Sequence, residues 1–218
     1  MMKTTGIALL LLLAACAGTN PAPAATTPAP PPPQDFWFTV RAANGLLVGI
    51  NEGPVHATLR LRGDDLRTLP DNPHVFVVDG SFVQIMVAST EGWGERVDGA
   101  ALLDAHMAWE SDYVASTLHT SITPRRMAPC TVTAKRACLV WLYENPPALD
   151  ARVTEPARAN MFASTVVAGQ VLVISSPVIG DDTEAKVADR LLAILASVEP
   201  RSTPIVPEDE SRRIRGER

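Results

Sequence analysis

The sequence has little of what usually betrays a chemistry. Of 218 residues only 11 are aromatic, four are His and three are Cys. The histidines, His56, His74, His106 and His119, show no His-x-x-x-His or His-Glu-x-x-His spacing, so the usual helical metal site is missing. There is no Gly-x-Ser-x-Gly elbow, and Gly92-Trp93-Gly94 lacks the third glycine and the helix start of a phosphate loop. A basic excess is also absent. The formal net charge is −5, and removing Lys3 together with the single net positive charge from Pro200 onward leaves −7 on residues 35–199. That balance argues against nucleic acid and against a basic membrane-docking face. No repeat at a solenoid period is visible. Apolar residues at 46% and charged residues at 20% exclude a wholly disordered chain and a many-span membrane protein.

Proline is abundant, and its distribution divides the chain. Of 19 Pro, seven lie in residues 21–33 and three are Pro200, Pro204 and Pro207, so the centre is ordinary. Before the first cluster, Met1-Met2-Lys3 is followed by an apolar or small-residue run over 6–15, ten residues where a membrane helix needs about 20. These are signal-peptide dimensions, and residues 1–15 are expected to be removed. The run ends in Leu13-Ala14-Ala15-Cys16, which resembles the lipobox of bacterial lipoproteins at each position. The resemblance implies that the Cys16 thiol carries a diacylglyceryl group and becomes the first residue of the mature chain. It also implies, with Ala17 rather than Asp following, sorting to the outer membrane facing the periplasm, or to the cell membrane if the source has only one. An ordinary secretory signal with a chance Cys after its cleavage site is the alternative. Two or three acyl chains hold a soluble domain at a bilayer, since each buried methylene adds about 0.8 kcal/mol. Residues 17–34 are uncharged and rich in Ala, Thr and Pro, which reads as a tether of polyproline II character, with a Pro-rich recognition ligand as the competing view.

Residues 35–199 are long enough for one domain with its own core. Strands are expected at 37–41, 46–50, 56–61, 74–78, 82–88, 137–143, 159–168 and 170–176. Turn signals at Asn44-Gly45, Asp79-Gly80 and Gly169 join pairs of them. A helix over 98–118 carries Leu103, Met107, Val114 and Leu118 at helical spacing, widened by Leu102, Trp109 and Tyr113. A second helix over 181–199 has Val187, Leu191, Ile194, Leu195 and Val198 on one face, with Asp181 as cap, Glu184 reaching back and Pro200 as stop. This is an α+β plan: a largely antiparallel sheet covered by helices, with a long amphipathic C-terminal helix. In element order it resembles the Mog1/PsbP-like domains, a class that includes small tethered bacterial lipoproteins. A helix-grip domain shares the long C-terminal helix and is the rival fold. Residues 200–218 are too polar to fold alone and are expected to be a disordered tail.

With Cys16 assigned to lipid, Cys130 and Cys138 form an even pair in an oxidising compartment and are expected to make a structural disulfide rather than a redox pair. His106 and Glu110, one helical turn apart, offer a shared metal or proton or a merely structural His. The pairs Asp64-Asp65 and Asp181-Asp182 are accounted for by a turn and by helix capping. Trp109 and Trp141 fit core positions by period. Trp93 sits in an acidic Gly-rich loop where no period requires it, and is the candidate partner contact, the alternative being a ring folded back on its own domain. No catalytic residue, metal site or cofactor is expected. The reading is a lipid-anchored, non-enzymatic envelope domain that docks on another envelope protein, with carriage of a small apolar ligand between sheet and helix as the alternative.

Overall fold

The computed structural model describes residues 35–90, 99–127, 130, 132, 136–146 and 156–216. Cys16, the tether and Trp93 lie outside the described residues. The fold is mixed α+β with antiparallel sheets, two of them. The first has the order β1-β2-β3-β11 and is built from Phe36–Ala42 (β1), Gly45–Glu52 (β2), Val55–Leu61 (β3) and Glu199–Pro200 (β11). The second is seven-stranded, in the order β4-β5-β6-β10-β9-β8-β7. Its strands are Leu66–Leu69 (β4), Asn72–Val78 (β5), Ser81–Ala88 (β6), Arg125–Arg126 (β7), Cys138–Glu144 (β8), Ala159–Val167 (β9) and Gln170–Val178 (β10). The helices are Gly99–Leu118 (α1), Glu184–Ala196 (α2) and Pro207–Arg215 (α3).

The turn chemistry sets the hairpins. Asp79 and Gly80 take φ of 49° and 81°, the pair of left-handed residues that a two-residue turn of primed type requires between β5 and β6. Asp79 also accepts from the backbone N–H groups of Asp64 and Asp65 at 2.7 and 3.0 Å, which is the polar turn expected there.

Two cores follow from the strand pattern. Strands β8 to β10 are near-continuous apolar runs because both faces of the large sheet are covered. On one face Val140, Leu142, Met161, Ala163, Leu172 and Ile174 join the inner residues of the small sheet and the apolar stripe of α2 in one cluster. On the other, Trp141, Tyr143, Phe162, Val171 and Val173 pack against Leu102 and Leu103 of α1. Trp141 is fully buried and stacks on Phe162 at 4.2 Å between centroids.

Several expectations are corrected. Trp109 and Tyr113 do not widen the buried stripe of α1: they are 45% and 56% exposed, because that face of the sheet is already filled by Trp141, Tyr143 and Phe162 and accepts only a narrow ridge of the helix. α2 is shorter than expected, is capped by Thr183, whose Oγ1 accepts from the Lys186 N–H at 3.2 Å, and ends before Pro200. Asp181 is not the cap, and Glu184 turns outward to Arg125 at 2.8 Å rather than back to the helix start.

Nor is the segment from residue 200 to 216 disordered. Pro200 lies in β11 opposite Ala57, and the Arg201 N–H reaches the His56 carbonyl at 2.7 Å. The Asn51 side chain clasps the Ile205 backbone, donating to its C=O at 2.9 Å and accepting from its N–H at 2.8 Å, with Ile205 itself 5% exposed. α3 follows with Pro207 at its first turn, Glu208, Asp209 and Glu210 near its N-terminus, Arg212, Arg213 and Arg215 near its C-terminus, and Gly216 at φ 73° closing it, a charge order that matches the helix dipole. This strap covers the outer face of β2, where Leu47 is buried and the Phe38 ring lies so close over Gly49 that a β-carbon there would overlap it.

Candidate docking face and the cluster beneath it

α1 carries its chemistry on two sides. Outward, Trp109 and Tyr113 are one turn apart and stack with centroids 5.6 Å apart and planes 8° from parallel. The helical period of the sequence does not mark the two rings as exposed, since Ser111, which lies between them in the chain, is itself only 5% exposed.

Inward, His106 is 1% exposed and meets Trp141 edge-on, centroids 6.5 Å apart. Burial lowers its pKa to about 4, so the imidazole is neutral at physiological pH. Burial also raises the Glu110 carboxyl. Tyr143 is raised by burial first and by the Glu110 charge second, against a hydrogen bond from the Asn160 amide at 3.2 Å that works the other way. Asn160 also donates to the Asn145 side chain at 2.8 Å, and Asn145 donates to the Ala157 carbonyl at 2.7 Å. His106, Glu110 and Tyr143 thus line a helix–sheet seam in which each charged form is disfavoured, and the seam is closed by packed rings.

The remaining candidates fall elsewhere. Cys130 and Cys138 stand at disulfide distance, Cα atoms 5.4 Å apart, and pack against the larger core. Asp182, 7% exposed, accepts from Ser81 Oγ at 2.8 Å and pairs with Lys186 at 2.6 Å and Arg190 at 3.4 Å. Burial pushes its pKa up, but these partners together outweigh it and leave the carboxylate below its ordinary range. It ties the start of β6 to α2, which is a structural task. His74 packs edge-on to Trp37 at 4.4 Å, and Trp37 donates to Glu52 at 2.9 Å. Among the described residues no three His, Cys, Asp or Glu side chains are grouped to hold a metal ion, and no helix is long and apolar enough to cross a membrane. Set beside known proteins, the chain matches no family model, no curated protein and no solved structure.

Proposed function

We propose that this chain is a lipid-anchored cell-envelope protein whose folded domain is a non-enzymatic docking module for another envelope protein. The anchor is Cys16, on the strength of the Leu13-Ala14-Ala15-Cys16 motif, with the outer membrane facing the periplasm as its place, or the cell membrane in an organism with one. The observation that carries the docking reading is the stacked, half-exposed Trp109–Tyr113 pair on α1. Trp and Tyr supply much of the energy of protein interfaces, because a large ring with a polar tip buries area at small entropic cost. The partner is a protein with a shallow apolar pocket, reached within the span of the tether, about 55 Å for eighteen residues of polyproline II. Carriage of an apolar ligand has less support, since the space between α1 and the sheet is occupied by Leu103, His106, Trp141 and Phe162. The Mog1/PsbP-like assignment is likewise proposed, on the order of strands, helix, strands and helix alone.

A photo-crosslinking residue at Asp112, exposed and next to Tyr113 in the chain, tests the docking face in whole cells. The expected result is one discrete protein adduct that disappears when Trp109 and Tyr113 are both changed to Ala. An adduct pattern unaffected by that double change would refute this face as the contact.

A further inference from the structure

We propose that the groove between β3 and α2 is a binding site for a soluble, multivalent oxyanion, recognised by Arg60 and Arg62. This proposal is independent of the docking reading. The groove has a volume of about 390 Å³ and is lined by Arg60, Arg62, Arg190, Ala193, Ile194 and Ser197 among others. A second groove of about 240 Å³ shares Arg60 and Arg62 and is bounded on its far side by Arg213 and Ile214 of α3. The two adjoin across the arginine pair, and no Asp or Glu lines either.

The other arginines that line the two grooves are already paired. Asp182 holds Arg190 and Lys186, and Glu210 holds Arg213 at 2.7 Å and Arg201 at 3.3 Å. Elsewhere on the domain Arg67, Arg125 and Arg126 each have a carboxylate at 3.0 Å or closer. The guanidinium groups of Arg60 and Arg62 make no hydrogen bond or ion pair among the described residues; Arg60 is held only through its backbone, by Ser197 Oγ. In residues 35–199, which carry seven more acids than bases, two neighbouring cations without an acid are an unneutralised charge that an anion relieves.

The geometry selects the ligand. A guanidinium offers a planar fork that matches phosphate and carboxylate oxygens two at a time. Arg60 lies in β3 and Arg62 just past its end, and a spacing of two residues in extended chain is about 7 Å between Cα atoms, room for each to grip a separate anionic group. The small side chains of Ala193 and Ala196 leave the opposite wall open. Compensation of the α2 dipole explains the pair less well, because the Ile194 and Leu195 carbonyls at that end already accept from the Ser197 and Val198 N–H groups at 3.0 and 3.2 Å.

The test is calorimetric titration of the full chain with pyrophosphate and, separately, citrate at fixed ionic strength, alongside thermal unfolding. Saturable one-site binding and a raised unfolding midpoint are expected. Arg60→Gln with Arg62→Gln should weaken binding by about tenfold or more, while Arg67→Gln, whose guanidinium pairs with Asp65, should bind as the parent does. Should the double variant fail to fold, Arg62→Gln alone, at an exposed position, carries the same expectation. The proposal is overturned if chloride at matched ionic strength gives the same stabilisation, or if the Gln variants bind undiminished. It is equally overturned if binding is seen only to vesicles containing phosphatidylglycerol and to neither soluble anion.

Discussion

His106 shows what burial does to a single titratable side chain. Its pKa falls from 6.5 to about 4 on folding, so below pH 6.5 the unfolded chain takes up a proton that the folded chain refuses. Its contribution is therefore intact above pH 6.5 and is lost as pH falls toward 4, up to about 3 kcal/mol at 1.36 kcal/mol per unit. Glu110 acts in the opposite sense: its pKa is raised on folding, so acidification returns some stability. Asp182, whose pKa is depressed, adds its own loss only below its ordinary value of 3.8. Denaturant unfolding at pH 7 and pH 4.5 should thus show a fall in stability that His106→Leu largely abolishes. An unchanged pH slope in that variant would remove His106 as its source. At this scale the sequence was a partial guide. Placing His106 beside an apolar stripe was legible from period, and the exposure of Trp109 and Tyr113 was not, since it depends on which rings of β8 and β9 fill the sheet face first.

At the scale of elements, local signals and tertiary contacts divide the work. The Asp79-Gly80 hairpin was legible because few residue pairs accept left-handed φ at two successive positions. The start of α2 was not, because Asp181, Asp182 and Thr183 are all competent caps and the contacts of Asp182 with Ser81 and Arg190 leave the task to Thr183. The strap over 201–216 is the larger lesson. Its composition offers almost no apolar area, yet it docks through a strand pairing, one buried Ile and a two-bond clasp at Asn51. Asn51→Ala leaves the Ile205 N–H and C=O without partners, at a cost of about 2 to 4 kcal/mol. The expected outcome is a lowered unfolding midpoint together with proteolytic cleavage inside 201–216 that the parent resists. A midpoint unchanged from the parent would mean that the strap contributes nothing to stability.

For the whole molecule, the membrane reading rests on one thiol. Cys16→Ser is expected to move the protein from the membrane to the soluble fraction, and intact-mass measurement of the parent should show a chain beginning at residue 16 that carries two or three acyl chains; an unacylated chain beginning elsewhere would defeat it. The proposed division into address, tether and folded domain rests on the apolar run, the Cys16 motif and the Pro-rich composition of residues 17–34. The α+β class with antiparallel pairing was legible too, because apolar period and turn residues are local properties of the chain. What tertiary structure decided was everything that depends on which surfaces meet. It split the strands into two sheets, left two aromatic rings of α1 in solvent, and drew a polar terminus onto β2. It also brought Arg60 and Arg62, unremarkable in the sequence, to a groove from which every acid is absent. The physical reason is the same in each case: burial and charge neutralisation are sums over neighbours that are distant along the chain, and no local pattern contains them.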